Sequence, residues 1–258
     1  MNNRNSILTT GVFLLVFLPA IILSKTYAQN SFGKLKIVIV HTANHRVLSM
    51  NDSSYLNCFN ENYSISKLKY YLGNFTINGH SLLEKKSTYF LIDAKKKENV
   101  ISFDHLDSGK YLNISFDLGV DSIDNCSGAQ EGPLDPLNDM FWTWNSGYVF
   151  FKLEGNSPSS NADLNRIQLH LGGYKNEENI YTPILLSCDT FDKASNAINI
   201  LPGKVTEIVI EMNVDNFWQK DINNRISEIP VCMSPGALAK KVARSFLKLF
   251  SIQSIVNH

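Results

Sequence analysis

The sequence carries no excess charge of either sign: 24 Lys and Arg balance 24 Asp and Glu, and charged residues make up only 19% of the 258. A nucleic-acid-binding surface needs a positive field to displace phosphate counterions, so this neutrality argues against that class of partner. Cysteine is scarce. Cys58, Cys126, Cys188 and Cys232 lie far apart with no Cys-x-x-Cys pair, which argues against a four-cysteine zinc site. The chain also lacks a Gly-x-Ser-x-Gly elbow, a Gly-x-x-x-x-Gly-Lys phosphate loop, a His-Glu-x-x-His pair and a dinucleotide fingerprint. With the common enzyme signatures missing, a non-catalytic protein is expected. Apolar residues are not lacking, at 44% hydrophobic and 11% aromatic, and that content excludes disorder as the main state.

Export is written into the first residues. Arg4 precedes an apolar run from Ile7 to Leu23, and Ser24-Lys25-Thr26-Tyr27-Ala28 places small residues at the −3 and −1 positions of a cut after Ala28. This pattern predicts a secretory signal peptide over residues 1–28 and a periplasmic, outer-surface or secreted protein, with an uncleaved N-terminal anchor as the alternative. The remaining 230 residues suit one all-β domain spanning 29–258. Four cysteines in an exported chain allow two disulfides, and unpaired buried thiols are the competing expectation.

Strand signals dominate the mature chain. Lys34–His41 alternates Leu35, Ile37 and Ile39 with Lys34, Lys36 and Val38, and similar runs occupy Leu68–Ile77, Tyr89–Asp93, Tyr111–Leu118, Tyr148–Leu153, Arg166–Leu171 and Lys204–Val214. Clusters of Gly, Asn, Asp, Ser and Pro separate them, including the turn pair Asn78-Gly79. Seven spaced strands predict an antiparallel β-sandwich. A closing amphipathic helix is expected over about 235–250, with Ser234 as N-cap and Leu238, Val242, Phe246 and Leu249 at helical spacing. Its lysines offer at most a peripheral membrane role, and docking on the sandwich is the simpler reading. His258, at the chain end, is expected to fray.

Three places carry candidate chemistry. Leu134–Tyr148 holds Trp142 and Trp144 two residues apart, and in an extended segment both indoles share one face. Met140, just before them, adds a soft thioether that packing explains equally well. His170 lies inside a strand before Gly172-Gly173, and His41 with His45 lies at the end of the opening strand. Imidazole nitrogen is a common copper and zinc donor, so histidines brought together by a sheet would make a metal site, although a lone strand histidine is more often a hydrogen-bonded core residue. Without a metal, exposed coplanar indoles would make a carbohydrate- or ligand-binding platform. A further alternative is an envelope interaction protein without a metal site.

Four segments resemble the MbnP-like family of exported copper-binding proteins, which includes methanobactin-associated and copper-repressed surface proteins. They are KIVIVH with Val47-Leu48 after it, KLKYYLGNF (67–75), LDPLNDMFWTWNSGYVFFKLEG (134–155) and LHLGGY (169–174); the closing ALAKKVARSFLKLF is a weaker fifth match. The resemblance implies a secreted β-sandwich that binds Cu(I) through two histidines and a tryptophan oxidised to kynurenine. It further implies a di-haem MauG-type peroxidase partner that performs the oxidation. Carried onto this chain, the candidate ligands are His170 and His41, with Trp142 or Trp144 as the oxidised residue and His45 and Met140 as secondary candidates.

Overall fold

Along the first strand Leu35, Ile37, Ile39 and His41 are buried while Lys34, Lys36, Val38 and Val40 are not, as the alternating sequence requires of a sheet with one face on a core. The same periodicity places the other strands of the computed structural model, which describes residues 31–258 apart from 53–54, 86–87, 97–98, 129, 144 and 191–196. The signal segment and Trp144 lie outside the described residues. Ten principal strands are β1 (Phe32–Ala43), β2 (Asn62–Ile77), β3 (Tyr89–Asp93), β4 (Asn99–Asp107), β5 (Asn113–Leu118), β6 (Phe151–Asn156), β7 (Arg166–Leu171), β8 (Thr182–Ser187), β9 (Val205–Asn213) and β10 (Phe250–Asn257).

Two sheets pack face to face. One runs β10-β9-β1, with β4 and the two-residue strand Arg46–Val47 both pairing to the far edge of β1. The other runs β8-β5-β2-β6-β7 and ends on Val231–Cys232; β3 pairs to the opposite edge of β2 from β6. The core between them is aromatic. On β2 and β6, Tyr70 and Phe151 stack at 6.0 Å, and Tyr70 meets Phe250 of the first sheet at 5.7 Å. Phe151 stacks on Phe217 at 5.4 Å and packs against Phe246 from the segment after the closing helix at 5.2 Å.

The architecture is the expected all-β sandwich, but its sheets are mixed rather than wholly antiparallel. β1 and β9 pair in parallel from Lys34↔Val205 to Thr42↔Asn213, and β7 pairs in parallel with Val231–Cys232. Hairpin loops force antiparallel pairing, whereas the long path from β1 to β9 lets the chain re-enter from the same end. The closing helix is shorter than expected. It runs Ala237–Ala243, is preceded by Gly236 at φ 136° instead of a serine cap, and tightens into a 3-10 turn over Arg244–Lys248. Phe250, the last residue of the expected helix, instead opens β10, which runs along β9. His258 does not fray, because its N–H donates to the Val205 carbonyl at 2.9 Å. All four cysteines are free thiols, Cys58 and Cys126 exposed and Cys188 and Cys232 buried, so the two-disulfide alternative is not realised.

Candidate metal centre on the outer sheet face

Because side chains alternate across a sheet, the cross-strand register assigns every candidate to a face. Tyr70, Phe151 and Leu171 are register partners and point to the core, so Lys69, Lys152 and His170, one residue along, form a row on the outer face. A segment covers that row. The described residues of 132–148 cross the outer face through two 3-10 turns and the small hairpin of Phe141–Thr143 with Gly147–Tyr148. Side chains of the sheet hold the cover: the Tyr71 hydroxyl donates to Pro133 O at 3.0 Å, and Lys69 Nζ donates to Asn138 O at 3.2 Å.

Asp139, in the left-handed conformation at φ 62°, is the main anchor of the cover. Its carboxylate meets Lys67 Nζ at 2.9 Å and Lys152 Nζ at 3.0 Å, and its carbonyl oxygen accepts a hydrogen bond from Lys152. Burial opposes ionisation of Asp139, but the hydrogen bonds from Lys67 and Lys152 outweigh it and hold its pKa below the usual carboxylate value. Lys152 is itself buried, so this pair neutralises an ammonium that would otherwise be stranded.

His170 is buried beside Lys152, and its Nε2 lies 2.8 Å from Glu154 Oε1. Burial lowers its pKa and outweighs the raising effect of the Glu154 hydrogen bond, favouring the neutral imidazole. Two residues further along the same face comes Gly172, and Trp142 rests on it. A Cβ at Gly172 would sit 2.7 Å from Trp142 Cζ3 and 2.4 Å from the Tyr148 carbonyl oxygen, so glycine is what admits the indole. Trp142 is half-buried, and its Nε1 is buried with no hydrogen-bond partner among the described residues. An indole seated this way is not the fully exposed platform that the carbohydrate-binding alternative requires.

The structure brings Trp142 and His170 to one face and separates His41 from them. His41 belongs to the inner face of β1: its Nε2 lies 2.9 Å from the Tyr70 hydroxyl, and the two rings meet edge-on at 5.7 Å. A sheet therefore lies between His41 and His170, and they do not share a site. Burial lowers the His41 pKa to about 4. Met140 is fully buried in the core, which fits the packing role, and His45 is an exposed turn residue at φ 62°. Asp139, Lys152 and Glu154 were not singled out by the sequence. The Lys-x-Glu alternation of β6 marks 152 and 154 as one face, but nothing short of the register ties them to 139 or 170. Among the described residues no group of three or more His, Cys, Asp and Glu is placed to hold a metal.

Residues 32–234 match the family MbnP, most of the chain and all of the site. The chain belongs to the MbnP family. This membership supplies a copper-related context for the chain. Among solved structures, MbnP from Methylosinus trichosporium is similar at 12% identity, with a TM-score of 0.49 over 86% of this chain and 98% of that one. No curated protein matches the chain. Among the described residues of this MbnP-family chain, no helix is long and apolar enough to cross a membrane.

Proposed function

We propose that this chain is an exported, non-catalytic copper-binding protein that holds Cu(I) at the outer face of the second sheet and serves copper acquisition, storage or delivery outside the cytoplasm. The observation that carries the reading is the convergence of two groups on one face: the buried, neutral His170 imidazole, and the Trp142 indole seated on Gly172 with Nε1 unpartnered. Neutral imidazole nitrogen suits Cu(I), and a partly apolar pocket suits low coordination. Indole N–H is a donor only and does not ligate a metal. Oxidation of Trp142 to kynurenine, in which two oxygens cleave the pyrrole double bond and water then releases the formyl carbon as formate, exposes an aryl amine as a second nitrogen ligand. A di-haem MauG-type peroxidase is the partner proposed to supply that oxidation.

Competitive Cu(I) titration tests the site. His170→Ala is expected to weaken Cu(I) binding by more than about 100-fold, beyond the cost of losing an outer-shell partner. His41→Ala, on the far side of the sheet, is expected to keep the wild-type affinity while folded. Unchanged affinity in His170→Ala removes this site from the copper reading.

A further inference from the structure

We propose that Glu154 is the positioning residue of the His170 site: it fixes the imidazole with the proton on Nε2 and leaves Nδ1 as the nitrogen offered to a metal. The metal in this inference rests on the copper reading, but the tautomer is a property of the metal-free chain. An ionised carboxylate only accepts hydrogen bonds, so the 2.8 Å contact between Glu154 Oε1 and His170 Nε2 requires the proton on Nε2. Nδ1 has no hydrogen-bond partner among the described residues and keeps its lone pair. A carboxylate on the distal nitrogen is the arrangement that orients a ligating histidine and raises its basicity.

Glu154 is itself held. It lies diagonally across the β6–β7 pair from His170, whose direct partner is Lys152, and its second oxygen is 3.4 Å from Lys67 Nζ. Lys67 also binds Asp139, and Asp139 binds Lys152, the cross-strand neighbour of His170. The chain of contacts closes on the Asp139 turn, three residues before Trp142. The imidazole and the segment bearing the indole are thereby fixed against one frame, so the Nδ1 donor is set before any metal arrives.

Long-range proton–nitrogen NMR on 15N-labelled, metal-free protein is the test. The wild type is expected to show His170 protonated at Nε2 and bare at Nδ1, and one equivalent of Cu(I) is expected to move the Nδ1 resonance while the Nε2 proton stays. Glu154→Leu is expected to give a mixture of tautomers and about 10- to 100-fold weaker Cu(I) binding, with partial recovery in Glu154→Gln, whose amide oxygen still accepts. An Nδ1–H tautomer in the metal-free wild type overturns the inference whatever copper does. The expected tautomer with neither nitrogen responding to Cu(I) overturns the copper reading at His170, and Glu154's positioning role with it. Wild-type affinity in a folded Glu154→Leu variant overturns the positioning role alone.

Discussion

The two histidines illustrate how one residue type acquires different roles from its face of a sheet. His41 sits among core side chains with Tyr70, and burial holds its folded pKa near 4 against an ordinary value of 6.5. As pH falls below 6.5 the unfolded chain binds a proton that the folded chain refuses until about pH 4, so stability is lost across that window and the loss levels off below it. The move from 6.5 to about 4 corresponds to a limiting loss of about 3 kcal/mol, of which about 2 kcal/mol is expected by pH 5. Denaturant unfolding at pH 8 and pH 5 checks this, with a shallower dependence expected for His41→Gln. Gly172 is equally specific. Gly172→Ala drives a methyl into the Tyr148 carbonyl and the Trp142 ring and is expected to cost about 1–3 kcal/mol while changing tryptophan fluorescence. For Asp139→Ala, which leaves the buried Lys152 without its carboxylate, a loss of about 2 kcal/mol in urea unfolding is expected. At this scale the sequence pointed to Trp142 and His170 through their local motifs. It did not point to Asp139, Lys152 or Glu154, because their roles exist only once β6 and β7 are in register and the 132–148 segment lies over them.

Among the elements, β10 shows best what a pattern hides. Phe246, Leu249 and Phe250 continue a helical spacing, and the alternation of Phe250-Ser251-Ile252-Gln253 breaks at the register shift opposite Val209 and Ile210, which leaves only four residues of clean period two. Yet β10 covers the edge of β9 and contributes the buried Phe250 and Ile252 to the core. Truncation after Leu249 is therefore expected to prevent stable folding, read as loss of the cooperative thermal transition; a truncated chain with wild-type melting would contradict the packing described. β4 alternates buried Asn99, Ile101 and Phe103 with exposed Val100, Ser102 and Asp104, a legible period of two that the seven-strand reading passed over. β8 is harder to read. Among the described residues it is an edge strand paired only to β5, and it carries Pro183 and the exposed Leu185, which weaken its signature. β3 and β7 match the sequence reading residue for residue, and Gly172-Gly173 marks the end of β7. Parallel pairing of β1 with β9 has no local sequence cue, since it depends on the path of everything between them.

The whole molecule is a mixed β-sandwich with the candidate site built on its outside. The inner faces hold an aromatic core that includes His41, and the outer face of β2, β6 and β7 holds a polar frame that fixes His170 and the covering segment together. Most of the packing thus lies on the inner faces and the proposed metal donors on the outer one, so inner-face variants such as His41→Gln should shift unfolding alone, while outer-face variants such as Asp139→Ala should shift both unfolding and metal affinity. The central claim is that the outer-face site holds copper with an oxidised Trp142. Native mass spectrometry of the protein isolated from its own host, followed by peptide mapping of the same sample, tests it most directly. One copper per chain is expected, with a mass change at Trp142 of two oxygens added and one carbon monoxide lost. A copper-free protein with unmodified Trp142 would contradict it.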